Sequence, residues 1–234
     1  MRMSIVLLLA GCSAAEVDVR GPRYTPTSDY ETRTIEGWTI RVNRALLHPT
    51  SSSGGPALRL LAHRLQEVSR ALPLEACEAL RKAPIWLGLD DGHSPLAEYH
   101  ASAAWLRENG YNPEKAKAVE IGNASRFLLA DREQPFMLLH ELAHAYHDRV
   151  LGFDHPGILA AYAAATAAGT YDAVLRSTGK TERHYAMTDA KEYFAEGAEA
   201  FFGVNDFYPF VRIELERHDP ALVRVLEEVW RSRP

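Results

Sequence analysis

PFMLLHELAHA, residues 135–145, carries the pattern H-E-x-x-H inside an otherwise apolar run. Its two histidines, His140 and His144, are four residues apart, about one helical turn, so both imidazoles project from the same face of a helix. Apolar residues fill most other positions, which predicts a helix that is buried on nearly all sides. Two imidazoles at this spacing can bind one zinc ion, and Glu141 between them can act as a general base. The alternative is a pair of core histidines that are satisfied by hydrogen bonds.

A catalytic zinc needs a third protein ligand and keeps one open position. The extended form H-E-x-x-H-x-x-G-x-x-H is disfavoured, because its glycine and last histidine are replaced here by His147 and Val150. A carboxylate from a later helix is the remaining common solution. Residues 189–202 predict such a helix, with Thr188 or Asp189 as its N-cap. Three glutamates lie on one face of it, at i, i+4 and i+7, among apolar residues: Glu192, Glu196 and Glu199. A solvated acidic face is the competing interpretation, and on spacing alone either Glu192 or Glu196 could be the ligand.

HELAHA at 140–145, followed by Tyr185 and by EYFAE at 192–196, resembles the catalytic domain of the lethal-factor family of zinc metallopeptidases. That family has H-E-x-x-H-A and, later, a tyrosine seven residues before an E-[FY]-F-A-E element. The resemblance covers roughly residues 140–202, and the large substrate-recognition domains of the toxin members have no counterpart here. It implies a zincin-like fold and assigns a role to each matching residue. His140, His144 and Glu192 would bind Zn²⁺, Glu141 would be the general base, Tyr185 would donate a hydrogen bond to the oxyanion, and Glu196 would orient a zinc-bound imidazole from behind.

Other polar residues near these motifs are expected to have ordinary structural roles. We predict that His147 and Asp148 form a partly exposed helix end and that His184 is a loop histidine. Glu199 is expected either to be exposed to solvent or to contact a metal ligand without binding the metal itself. Cys77 lies in a helical pattern and is predicted to be buried as a small apolar residue.

The first residues of the chain differ in kind from the rest. A positive charge at Arg2 precedes a short apolar run at 5–9 and then Leu-Ala-Gly before Cys12, which resembles a bacterial lipoprotein signal whose cysteine receives the lipid. We therefore expect a signal at 1–12, a flexible linker at 13–33 and a catalytic domain at 34–234. The protein would then be extracytoplasmic and anchored to a membrane through lipid, at the outer membrane or cell surface. A buried N-terminal strand or a signal without lipidation are the alternatives.

Composition and charge narrow the class of protein. The 234 residues are 47% hydrophobic and 24% charged, which is ordinary for a soluble globular domain. A formal net charge of −5 argues against nucleic acid as a partner. No apolar run reaches eighteen residues, so no transmembrane helix is expected. The expected partner is a peptide or protein substrate.

The pattern along the chain predicts an α+β fold, with a small sheet early and a mostly helical C-terminal half. Strands are predicted within 35–47, at 84–89 and at 117–121. By analogy with zincins, the strand at 117–121 would be the edge strand that pairs with extended substrate. The polar stretch 90–112, with interleaved aromatics that include Tyr99 and His100, could shape a cleft wall, and the alternative is a surface loop and a short helix.

The leading hypothesis is a zinc-dependent peptidase that uses an activated water. Two alternatives use the same residues: an inactive zinc-binding scaffold lipoprotein, and a zinc amidase that acts on cell-wall peptides. Imidazole and carboxylate ligands also accept other divalent ions, so the sequence does not choose the metal by itself.

Overall fold

The computed structural model describes residues 24–90 and 96–231. Cys12, the predicted signal at 1–12 and the first part of the predicted linker lie outside these residues. Across the described ranges, no helix has the length and apolar character needed to cross a membrane.

The sheet has five strands in the order β1-β2-β3-β5-β4, with β2, β3 and β5 parallel and the two outer strands antiparallel to their neighbours. A separate two-stranded ribbon, β6-β7, lies later in the chain. The strand bounds are β1 Tyr30–Ile35, β2 Trp38–Asn43, β3 Ile85–Leu87, β4 Glu98–His100, β5 Ala118–Ile121, β6 Val174–Leu175 and β7 Thr181–Glu182.

Helices lie between the strands and dominate the C-terminal half, so the predicted α+β class is confirmed. Their bounds in the described residues are α1 Gly54–Ala71, α2 Leu74–Leu80, α3 Ala103–Glu108, α4 Ala124–Ala130, α5 Met137–Tyr146, α6 Pro156–Ala168, α7 Ala190–Phe202, α8 Arg212–His218 and α9 Pro220–Val229. A π-helical turn, His147–Leu151, continues α5, and a 3₁₀ turn, Tyr185–Met187, precedes α7.

Two expectations about the sheet need correction. Strand β1 begins at Tyr30, so the last four residues of the predicted linker at 13–33 belong to the sheet. The Tyr30 ring is buried edge-on against Trp86 and anchors this strand. The polar residues after Tyr30 do not alternate with apolar ones, so no period-two pattern marks the strand in the sequence. The strand at 117–121 exists as β5, but it is not at the edge. It lies between β3 and β4, and β4 forms the edge.

One face of the sheet forms the main core. Apolar side chains from β2, β3 and β5 pack there against α1 and α5, and helix α7 continues this core beyond α5. Cys77 of α2 is buried in the same core, as predicted. The motif helix is therefore held between the sheet and α7, which fixes the direction of its polar side chains.

Candidate metal centre

Helix α5 presents the two motif histidines towards α7. Most of its surface consists of buried leucine and alanine side chains. Its histidine and glutamate side chains therefore point to the face that opens on a cavity. The Nε2 atoms of His140 and His144 are 3.1 Å apart. Two ring nitrogens at this distance, one turn apart, are arranged to share a partner.

Helix α7 supplies the carboxylate. The side chain of Asp189 caps the helix by accepting the backbone N–H groups of Lys191 and Glu192, so Glu192 stands in the first turn. Its Oε2 lies 3.0 Å from Nε2 of His140 and 3.4 Å from Nε2 of His144.

The three candidate ligand atoms have the spacing that a tetrahedral zinc ion requires. Zinc–nitrogen and zinc–oxygen bonds of about 2.0–2.1 Å in a tetrahedron separate ligand atoms by about 3.3 Å, and the observed separations are 3.0 to 3.4 Å. His140, His144 and Glu192 thus form a group able to hold a metal ion. The donor set of two imidazoles and one carboxylate suits zinc and leaves a position for water.

Charge inside this group is strongly coupled. Burial alone would lower the pKa of His140, but hydrogen bonds to Glu192 and Glu199 outweigh burial and hold it well above its usual value. Burial would raise the pKa of Glu192, yet its bonds to His140 and His144 lower it far below the usual range. In the metal-free protein the raised pKa of His140 and the lowered pKa of Glu192 favour a positive charge beside the carboxylate, at the place where a cation would lie.

Glu199 makes the hydrogen bond to Nδ1 of His140, whereas Glu196, which we predicted for this role, lies further from the same nitrogen. Oε1 of Glu199 lies 2.8 Å from Nδ1 of His140, against 3.7 Å for Oε1 of Glu196. Seven residues are close to two full turns, so Glu199 lies nearly in line with Glu192 along α7. Glu196 is turned aside, where its Oε2 accepts the amide N–H of Asn205 at 2.7 Å.

The alternative ligand Glu196 does not join the paired imidazoles. It forms a second possible metal-binding group with His140 and Glu199, on the Nδ1 side of the ring. An ionised Glu199 has no hydrogen to donate and can only accept. In that state Nδ1 of His140 carries the proton of this contact, and Nε2 is directed to His144 and Glu192. Glu192 therefore lies next to the Nε2 atoms of both histidines.

Glu141 leaves the same helix without joining the candidate ligands. Its Oε2 accepts the backbone N–H of Tyr99, on edge strand β4, at 2.7 Å. In the described residues no hydrogen bond engages its Oε1. One oxygen of the candidate base is therefore held by the sheet and the other is available to the cavity.

Tyr185 reaches the cavity from the 3₁₀ turn before α7. The turn is fixed by His184, whose Nδ1 accepts the backbone N–H of Ala186 at 3.0 Å. Tyr185 itself remains 49% exposed, and partial burial raises the pKa of its hydroxyl. A protonated phenol at the rim is placed to donate a hydrogen bond to a bound molecule.

The cavity has a volume of about 480 Å³, room for a short peptide segment. Edge strand β4, the motif helix, the tyrosine turn and α7 all contribute to its walls. Carboxylates predominate among its polar groups. Its lining residues include Leu96, Ala97, Glu98, Tyr99, Ala101, Met137, Phe153, Tyr185, Lys191 and the candidate metal ligands.

His147, which we expected at a partly exposed helix end, and the loop histidine His184 are both buried. His147 is fully buried between the rings of Phe153 and Phe194, because the π-helical turn keeps it under α7 rather than at an exposed helix end. Burial lowers its pKa to about 4. His184 is also buried, stacked on Phe207, and burial lowers its pKa to about 3. Both residues support the site as neutral aromatic groups.

Asp148 is partly exposed in the turn that ends the motif helix, as predicted. It accepts the hydroxyl of Tyr99 at 2.7 Å and contacts Nζ of Lys117. Sequence reasoning placed Tyr99 only within a possible cleft wall, and its contacts with both Glu141 and Asp148 were not predicted. Strand β4 is three residues long within a polar stretch, too short for an alternation signal to identify it.

No family model, no curated protein and no solved structure matches this chain.

Proposed function

We propose that this protein is a zinc-dependent peptidase with a zincin-like catalytic domain. The observation that carries the proposal is the convergence of His140, His144 and Glu192 at tetrahedral spacing, beside a carboxylate that one backbone N–H holds in place. The motif resemblance to the lethal-factor family supports the same assignment independently of the distances.

Each side chain has a role that follows from its position. A zinc ion, when bound, would lower the pKa of a coordinated water and polarise the scissile carbonyl. Glu141 would take the water proton on its unengaged oxygen and pass it to the leaving amine. Tyr185 would donate its hydroxyl hydrogen to the oxygen on which negative charge develops. Glu199 would keep the His140 ring oriented.

We propose peptide as the substrate class because the cavity is an open cleft with a strand edge on one wall. Leu96, Ala97, Glu98, Tyr99 and Ala101 of that wall line the cleft, and an extended peptide would add to the open edge of β4 there. The sequence further supports lipid attachment at Cys12 and an extracytoplasmic, membrane-anchored location, and a Cys12→Ser variant that still incorporates labelled fatty acid would contradict this.

The decisive experiment compares wild type with Glu141→Gln. Zinc is measured by mass spectrometry of the purified protein, and hydrolysis is measured on a library of quenched fluorescent peptides. We expect both proteins to bind one equivalent of zinc and only wild type to cleave peptides. Zinc binding without cleavage by wild type would favour the scaffold. Release of fragments from purified cell wall, without cleavage of any peptide in the library, would favour the amidase.

A further inference from the structure

Three ionisable side chains are buried together on the face of the sheet that points away from the motif helix. Lys115 is 0% exposed, Glu120 is 1% exposed and His100 is 2% exposed. One carboxylate oxygen of Glu120 contacts Nζ of Lys115, and the other lies 2.7 Å from Nε2 of His100. We call Lys115, Glu120 and His100 the buried triad.

Stability alone does not account for the buried triad. Removing charges from water is costly, and apolar replacements of buried ion pairs are often neutral or stabilising. The strand register adds a further cost, because Glu98 lies directly opposite Glu120 and like charges in that position destabilise a sheet. Buried polar groups do, however, fix one register against its alternatives, and here the element that needs fixing is strand β4.

Strand β4 is held by a short ladder and by the contacts of Tyr99. It is three residues long and pairs with β5 on one side only. His100 pairs with Ala118 in the ladder, so its bond to Glu120 is a diagonal tie between the two strands. A slip of β4 by two residues would break this tie and would move its backbone by about 7 Å.

The position of β4 is transmitted to the candidate active site through Tyr99. This residue lies between Glu98 and His100, so its side chain points to the opposite face of the sheet. Its backbone N–H donates to Glu141 and its hydroxyl donates to Asp148, each at 2.7 Å. Both acceptors belong to the motif helix or to the turn that continues it. The bond between His100 and Glu120 therefore fixes the strand position on which the Tyr99 N–H and hydroxyl depend.

We propose that the buried triad is a positioning device that holds edge strand β4 in register, so that the Tyr99 N–H fixes the carboxylate of Glu141. Its catalytic consequence rests on the proposed function, in which Glu141 is the general base, whereas its structural consequence does not. His100, Glu120 and Lys115 are positioning residues, since none of them lines the cavity.

The test replaces His100, which removes the tie while Lys115 and Glu120 stay paired. His100→Leu loses the donor to Glu120, whereas His100→Gln keeps an amide N–H that can replace Nε2. The matched control is Ser102→Ala, which removes the N-cap of α3 two residues further on and leaves the triad intact. Backbone hydrogen exchange at Tyr99, zinc content, kcat and KM are measured for each purified full-length protein.

We expect His100→Leu to bind one equivalent of zinc, to exchange the Tyr99 amide about tenfold faster or more, and to lose about tenfold or more in kcat. His100→Gln should resemble wild type in both respects, and Ser102→Ala should lower only the melting temperature. Glu141→Ala provides the reference for a Tyr99 amide without its acceptor. Wild-type exchange at Tyr99 and wild-type kcat in folded His100→Leu would overturn the proposal.

A second variant covers the case in which His100→Leu does not fold. In Lys115→Met/Glu120→Leu/His100→Leu, apolar residues of similar size replace the whole triad, and the same loss of protection and of kcat is expected. Retained Tyr99 protection in that folded variant overturns the proposal equally. If wild type shows no peptidase activity, the proposed function fails, while the exchange measurement still decides whether the triad positions β4.

Discussion

Two nitrogens of one ring organise the candidate metal centre at the scale of single residues. Nδ1 of His140 contacts Glu199, and Nε2 contacts Glu192 and His144. In the proposed site each carboxylate therefore has a separate task, Glu192 as a ligand and Glu199 as the acceptor that fixes the ring. This division predicts different consequences for their removal.

Glu192→Ala should lose most of the zinc affinity, because a site with two imidazoles and no carboxylate lacks its third protein ligand. Glu199→Gln should bind zinc about 10–100-fold more weakly, the usual effect of removing an outer hydrogen-bond partner. Competition with a fluorescent chelator measures both affinities. Glu192→Ala with wild-type affinity would remove Glu192 from the ligand set.

Tyr185→Phe should lower kcat about a hundredfold, because one oxyanion donor is typically worth about 3 kcal/mol. Zinc content and thermal stability should be unchanged, since the side chain is half exposed. Tyr208→Phe is the control, because Tyr208 does not line the cavity. Kinetics of peptide cleavage test this, and an unchanged kcat for Tyr185→Phe would assign the oxyanion contact elsewhere.

At the scale of secondary-structure elements, a close backbone contact fixes where helix α1 begins. Helix α1 begins at Gly54 directly against the backbone of Leu46, and a Cβ at Gly54 would lie 1.8 Å from the Leu46 carbonyl oxygen. Backbone cannot move aside as a side chain can, so this contact requires glycine. The neighbouring Gly55 has only the Arg59 side chain nearby, at 3.4 Å.

Gly54→Ala should therefore destabilise the protein by about 1–3 kcal/mol or more, the usual range for an overpacked core. Gly55→Ala is the matched control and should leave stability unchanged or slightly raise it, because alanine favours a helix. Urea unfolding followed by circular dichroism gives both values. Equal midpoints for the two variants would contradict the close approach.

Element prediction succeeded where the sequence signal is long and failed where it is short. Helices α5 and α7 follow from apolar stretches of ten or more residues in which the histidines or glutamates recur at helical spacing. Strand β4 does not, because three residues in a polar stretch carry no periodicity. Its place at the edge depends on pairing with β5, about twenty residues further along the chain.

Titration links the site to the stability of the whole molecule. In the metal-free protein, burial and the neighbouring Glu199 carboxylate raise the pKa of Glu196 to about 8. A carboxyl with a raised pKa binds its proton more tightly in the folded chain than in the unfolded chain, so the free energy of unfolding falls as pH rises through about 8. The raised pKa of His140 acts in the same direction above pH 6.5. The lowered pKa values of His147 and His184 act below pH 6.5, where protonation of these histidines favours the unfolded chain.

We therefore expect the melting temperature of the metal-free protein to fall between about pH 6.5 and 8, and the fall to be smaller in Glu196→Gln. Zinc competes with protons for the imidazoles, so the rise in melting temperature on adding zinc should be larger at the upper end of this window. Differential scanning calorimetry with and without a chelator measures both effects. A zinc effect that does not change with pH would contradict this linkage.

The sequence by itself determined the α+β class, the motif helix and the glutamate face of α7, because helical periodicity and ligand spacing are local properties of the chain. Only the tertiary structure decided that Glu199 rather than Glu196 forms the hydrogen bond to His140, that β4 forms the edge and that His147 is buried. These outcomes depend on contacts between distant segments, such as the 59 residues that separate His140 from Glu199. The rotation of α7 against α5 and the order of the strands come from the packing of the whole core, and local spacing does not specify either.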